Sequence, residues 1–124
     1  MLITGASSGI GEALAYEFSR LGAYVILSAR RENELKRVQK NLAIPEKSDI
    51  FLLDLDQPSD KIQAASTDFI QKIGGKIDIA ILNAGLSQRD LFSNMEVDVI
   101  ERLMRVNFFS VVAMTKALVP GMVA

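Results

Sequence analysis

The sequence predicts a doubly wound α/β fold: a parallel sheet of about four strands with flanking helices. Three observations predict it. Strand-like runs stand at 1–3, 23–28, 49–54 and 77–82, and the continuous apolar and β-branched run 23–28 has the character of a strand buried on both faces. Amphipathic stretches of helical length separate them, as parallel pairing with right-handed crossovers requires. The first run opens directly onto a turn, Thr4-Gly5-Ala6-Ser7-Ser8-Gly9-Ile10-Gly11, that leads into a helix.

Each element has its own justification. The first strand has only three residues before Thr4, short for a strand, so the amino end is expected to be trimmed. Glycines at 5, 9 and 11 allow a sharp turn, a close ligand approach and tight helix packing. From 10 to 21 the apolar residues Ile10, Leu14, Ala15, Phe18 and Leu21 recur at helical spacing, and Gly22 supplies the stop. The run 23–28 is the second strand, ending at Ala29-Arg30-Arg31. Residues 32–42 place Leu35, Val38 and Leu42 on one stripe, and Pro45 prevents continuation. A third buried strand is expected at 49–54. Pro58 and Ser59 then open a helix with Ile62, Ala65, Phe69, Ile70 and Ile73 on its stripe, stopped by Gly74-Gly75. The fourth strand, 77–82, runs into Asn83-Ala84-Gly85, and 86–94 reads as a loop. A long helix from about Met95 to Val119 is expected to end at Pro120-Gly121.

With 124 residues the chain has the size of one domain, residues 1–124, yet is short for a complete doubly wound enzyme. Hydrophobic residues make up 49% and charged residues 23%, with a net charge of -1, so neither nucleic acid nor an anionic membrane is expected as partner. The sequence contains no cysteine and no histidine. Disulfides, thiolate chemistry, an imidazole base and the usual zinc sites are therefore excluded within these residues, and no metal site is expected. No run approaches the roughly 18 unbroken apolar residues of a membrane span, so none is expected; the absence of cysteine fits a reducing, intracellular compartment, cytoplasmic or, in a longer form, associated with an organelle membrane.

The candidate site residues lie where strands end. In an open α/β sheet the carboxyl edge binds the ligand, and the helix that follows the glycine turn directs its unpaired N–H groups toward an anion such as a pyrophosphate. A dinucleotide is the expected ligand. An acidic residue after the second strand would favour NAD. Here Ala29 is followed by Arg30 and Arg31, which suit a 2′-phosphate through forked, charge-assisted hydrogen bonds, so NADP(H) is expected. The alternative is two solvated charges at a helix entrance. Asp54 has two readings, a turn cap or a partner for the adenine amino group. Asn83 and Asn107 both lie beside apolar runs, where an amide can simply satisfy backbone groups. Asn107 interrupts a strongly apolar helix, so a local disturbance of that helix or an ordered water is expected around it.

Taken together, Thr4-Gly5-x-x-x-Gly9-x-Gly11, Asp54, Asn83-Ala84-Gly85 and Val106-Asn107-Phe108 resemble the classical short-chain dehydrogenase/reductase family, in the right order and along the whole chain. Residues 86–89 and 114–120 further resemble its dehydrogenase/reductase member 7 branch. The resemblance implies that Gly5, Ser7, Gly9, Ile10 and Gly11 form the pyrophosphate and ribose turn of a Rossmann-type fold and that Arg30 selects NADP. It implies that Asp54 and Leu55 border the adenine. Asn83, Ala84 and Gly85 would support the fourth strand beside the cofactor ribose, with Thr4 bonding back to them. Leu82 stands where the family often has a second asparagine. Asn107 matches the helix asparagine whose backbone carbonyl holds a water in a proton relay to the catalytic lysine.

The family's catalytic serine and Tyr-x-x-x-Lys have no counterpart here, because Ser110 shares a helix with Asn107, Tyr16 is followed four residues on by Arg20, and Tyr24 by Ser28. The resemblance implies carbonyl reduction or alcohol oxidation by hydride transfer, on a small carbonyl or alcohol substrate in a longer form. The 124-residue chain is expected to carry the cofactor half and not to turn over alone. A non-catalytic short form that binds dinucleotide or pairs with a full-length relative is the alternative. An exposed fourth strand is expected to make the isolated chain unstable or prone to pairing, a homo-oligomer included.

Overall fold

The computed structural model describes all residues, Met1–Ala124. They form two compact units, Met1–Asp54 with Lys76–Ala84, and Leu55–Gly75 with Gly85–Ala124.

The first unit holds the sheet. Its elements are β1 (Leu2–Thr4), α1 (Gly9–Arg20), β2 (Val25–Ala29), α2 (Glu32–Lys40), β3 (Ser48–Leu52) and β4 (Ala80–Ile81). The strands are all parallel in the order β3-β2-β1-β4. β2 has a neighbour on each side, and Val25, Ile26, Leu27 and Ser28 are all buried. Alternation then divides the strands by face. Ile3, Val25 and Leu27 join Ala6 and Ala15 near α1, and Leu35, Val38 and Leu42 of the α2 segment, in one apolar cluster. Burying a Leu or Val side chain contributes about 1.5–3 kcal/mol, so this cluster is what α1 and α2 gain by docking on the sheet.

The edges depart from expectation. β3 pairs only with β2, and its burial is partial: Phe51 is buried, Asp49 and Ile50 are half-buried and Leu52 is exposed. A buried strand is expected here, but an edge position with one neighbour leaves part of it open. β4 spans two residues where six were expected. Its ladder partner is the short β1, with Leu2 opposite Ala80 and Ile3 opposite Ile81, so only that stretch is held as strand. Ile77 is nevertheless buried and Ile79 exposed.

The stripe on α1 is also narrower than predicted. Leu14, Ala15 and Phe18 pack on the cluster, whereas Ile10 and Leu21, at the two ends of the helix, are exposed. Gly22 ends the helix as expected, with φ +90°.

The second unit is helical: α3 (Ser59–Lys72), a 3₁₀ turn at Phe92–Asn94, α4 (Val97–Met104), a π-helical segment at Arg105–Phe109, and α5 (Ser110–Val123). α3 packs on α5, and Ile62 and Ile70 of the first and Ala113, Met114 and Leu118 of the second are buried. Pro120 does not end the last helix. It lies inside α5, which continues to Val123, and its carbonyl accepts the Ala124 N–H at 3.3 Å. A proline removes its own donor, yet its φ is helical and its carbonyl still accepts, so the final turn closes around it.

α4, the π segment and α5 form one helix, Val97–Val123, of 27 residues with mean hydropathy 1.5 over an 18-residue window. By length and composition it is long and apolar enough to cross a membrane, which the sequence reading did not anticipate. Counting unbroken apolar residues passes over it because Arg102, Arg105, Asn107 and Lys116 interrupt the run.

Candidate functional site

In the first unit, β1 lies at the point where the strand order reverses, with β2 and β3 on one side and β4 on the other. A crevice at the carboxyl ends of β1 and β4 is where an open α/β sheet binds its ligand. The glycine turn fills that place. Gly5 has φ +65° and Gly9 φ +55°. A Cβ on Gly5 would stand 3.0 Å from both the Ala84 Cα and the Asn83 Nδ2. A Cβ on Gly11 would overlap the Gly5 carbonyl and come within 2.8 Å of the Asn83 Nδ2. Gly9 differs, because a Cβ there would meet nothing within 4 Å. Two glycines are thus required by the chain's own packing, and the third faces open space.

Two hydrogen bonds close the turn against the end of β4. The Ala84 N–H donates to the Thr4 Oγ1 at 3.0 Å, and the Asn83 Nδ2 donates to the Thr4 carbonyl at 3.3 Å. The bond from Thr4 to this segment, implied by the family resemblance, is present. Ser7 is buried and Ile10 exposed. The first turn of α1 begins at the N-cap Ser8, whose side chain makes no capping bond, and the first closed ring is the Glu12 N–H to the Ser8 carbonyl at 3.2 Å. The N–H groups ahead of Glu12 point along the helix axis with the positive end of its dipole.

The other strand ends share that carboxyl edge. Thr4 pairs with Ser28, and β2 then leads through Ala29 to Arg30 and Arg31, both exposed. The Leu53 N–H donates to the Ala29 carbonyl at 3.1 Å and places Asp54, also exposed, just beyond β3.

Leu55, Gly85 and Asn107 belong to the second unit. There the Asn107 side chain grips both backbone groups of Leu86: its Oδ1 accepts the Leu86 N–H at 2.8 Å and its Nδ2 donates to the Leu86 carbonyl at 2.7 Å. A Cβ on Gly85 would approach the Asn107 Oδ1 at 3.3 Å. The helix is disturbed here, as expected, and the disturbance is a π segment. The Ser110 N–H bonds the Arg105 carbonyl, five residues back, which frees the Val106 carbonyl from its usual partner. The Ser110 hydroxyl takes over, donating to the Val106 carbonyl at 2.5 Å. Replacing Asn107 by Ala is expected to cost about 1–2 kcal/mol and to speed exchange of the Leu86 amide about tenfold or more. Hydrogen exchange at that amide checks this, and an unchanged rate counts against the grip.

The sequence reading missed two charge clusters. Asp56 accepts from the Arg102 Nε and the Arg105 Nε, both at 2.9 Å. The bond from Arg105, reinforced by Arg102, holds the Asp56 carboxyl below its ordinary range, so this clamp is intact above that range and is lost as pH falls through the lowered value. The second cluster centres on Arg37. Each pairs residues roughly 25 or 46 positions apart, a separation at which sequence spacing carries no signal.

The family model for short chain dehydrogenases matches residues 1–124, and the chain belongs to that family. It is 42% identical over 125 residues to Dehydrogenase/reductase SDR family member 7 of Homo sapiens, covering 98% of this chain and 37% of that protein. It is 42% identical to Dehydrogenase/reductase SDR family protein 7-like of Drosophila melanogaster, covering 99% of this chain and 39% of that one. Among solved structures, a metagenomic short-chain oxidoreductase in complex with NADP superposes with a TM-score of 0.88 at 30% identity, covering 98% of this chain and 55% of that chain. The likeness confirms the Rossmann-type fold. The chain spans about two fifths of the length of the curated relatives it matches.

Proposed function

We propose that this chain supplies the cofactor-binding part of an NADP(H)-dependent short-chain oxidoreductase, which reduces a carbonyl or oxidises an alcohol by hydride transfer. The observation that carries the reading is the turn at the strand-order reversal. Gly5 and Gly11 are excluded from bearing a Cβ by Asn83, Ala84 and the turn itself, while Gly9 leaves open space above the start of α1. That arrangement fits a pyrophosphate, which needs close backbone approach and the N–H groups of a helix start.

Gly5, Ser7, Gly9, Ile10 and Gly11 hold the pyrophosphate and its ribose, and Thr4, Asn83 and Ala84 brace the turn. Arg30 binds the 2′-phosphate, and Asp54 borders the adenine. Leu55, Gly85 and Asn107 keep the roles the family resemblance implies. The nicotinamide supplies the hydride when it is bound. The residues of this chain orient the cofactor, and Asn107, through its backbone carbonyl, belongs to a proton path to bulk solvent.

NADP(H) is favoured over NAD(H) by the two exposed arginines after β2, since a guanidinium matches a phosphate bidentately. The solved structure of the metagenomic relative, in complex with NADP, supports this choice. Titration of the chain with NADPH and NADH, read by nicotinamide fluorescence, is expected to give binding of both with NADPH tighter. Binding of neither would remove the reading. No steady NADPH oxidation is expected from residues 1–124 alone with a carbonyl panel, because they contain no Tyr-x-x-x-Lys.

A further inference from the structure

We infer that Arg37 is a positioning residue for the glycine turn: from α2 it fixes the Ser7 carbonyl and offsets the charge of Glu12, so that the turn meets a phosphate without a bare carboxylate beside it. The inference rests on the dinucleotide reading and adds to it a residue that touches no ligand.

Arg37 spends its fork on three partners. Its Nη2 donates to the Ser7 carbonyl at 3.1 Å and to the Glu12 Oε1 at 3.0 Å, its Nη1 to the Glu12 Oε2 at 3.1 Å, and its Nε to the Glu34 Oε2 at 3.0 Å. The Glu12 Oε2 also accepts the Tyr16 hydroxyl at 2.5 Å. Glu12 is thus tied down on both oxygens.

Two physical consequences follow. In a trans peptide the carbonyl of Ser7 and the N–H of Ser8 point in opposite directions, so holding the carbonyl toward α2 sets the direction of the N–H at the N-cap of α1. Fixing that peptide before a ligand arrives removes an ordering cost from binding. The second consequence is electrostatic. Glu12 lies in the first turn of α1, where its negative charge suits the helix dipole but opposes an incoming phosphate. The guanidinium bonded to both its oxygens, and shared through Nε with Glu34, offsets part of that charge beside the turn, and the same bonds hold the Glu12 carboxyl below its ordinary range. A lysine cannot replace this arrangement, because one ammonium lacks the planar fork that spans two carboxylate oxygens and a carbonyl.

The experiment compares NADPH dissociation constants and melting temperatures of the 124-residue chain as wild type, Arg37→Met, Arg37→Lys, Arg37→Met with Glu12→Gln, and Lys36→Met. Lys36 pairs with Glu32 on the exposed side of the same helix, so its loss changes net charge equally without touching the turn. Arg37→Met is expected to weaken NADPH about tenfold or more at low ionic strength, with the loss shrinking as salt is added. Adding Glu12→Gln recovers most of it, Lys36→Met stays within about twofold, and Arg37→Lys weakens binding about threefold. Wild-type affinity in both Arg37 variants, or an equal loss in Lys36→Met, overturns the inference. If Arg37→Met gives no melting transition, Arg37→Lys decides: wild-type affinity there overturns it. Failure of the wild type to bind either dinucleotide removes the reading beneath it instead.

Discussion

Gly11→Ala is expected to lower the melting temperature by roughly 10 °C and to abolish detectable dinucleotide binding. The added methyl overlaps the Gly5 carbonyl and crowds the Asn83 amide, and both of these are fixed: Gly5 by its φ of +65° and Asn83 by its bond to the Thr4 carbonyl. No flexible side-chain end is available to move aside, so the backbone of the turn must shift. Overpacking of this kind costs about 1–3 kcal/mol, which corresponds to a drop of several degrees for each kcal/mol in a domain of this size. Gly9→Ala is the informative contrast. Its methyl meets no protein atom, and the penalty comes from φ +55° alone, about 1 kcal/mol. Thermal scans of the two variants should therefore differ, with Gly9→Ala melting only a few degrees below the wild type yet binding dinucleotide more weakly, since its methyl occupies the space proposed for the phosphate. Equal melting temperatures for the two would contradict the packing argument.

Arg30→Ala is expected to weaken NADPH binding by about 10- to 100-fold and to leave NADH within about threefold. Charge-assisted bonds to a phosphate contribute about 1.5–3 kcal/mol, and only NADPH carries the 2′-phosphate that would receive them. Arg30 is exposed at the end of β2, so its removal opens no cavity and should not change the melting temperature. Parallel titrations with both cofactors check this, and an equal loss for NADPH and NADH would assign Arg30 a role other than selecting the phosphate.

Much of the fold was legible because its signals are local. Gly5, Gly9 and Gly22 all have positive φ, which glycine alone adopts without strain, so turn and helix stop could be placed from residue type. The Leu35, Val38 and Leu42 stripe identified the inner face of the α2 segment for the same reason. Elements at edges were less legible. β4 shrank to Ala80–Ile81 because a strand extends only as far as its partner, and β3 is half open because it has one neighbour. Pro120 misled as a helix stop, since a proline in the final turn still offers its carbonyl to Ala124. At the site, Asn107 announced a disturbed helix by being polar in an apolar run. The form of that disturbance, a π segment with Ser110 capping the Val106 carbonyl, was not announced.

Residue type and short-range spacing were sufficient for the class of fold, the glycine turn and its place after the first strand, because backbone conformation and amphipathic periodicity depend on neighbours within a few positions. Tertiary structure alone decided which atoms crowd Gly11, what the Asn83 and Asn107 side chains bond to, and that Arg37 reaches back to Ser7 and Glu12. Those contacts join residues far apart along the chain. They exist only once the parallel sheet has brought the strand ends of the first unit to one edge, or helix packing has ordered the second, and no local pattern encodes them.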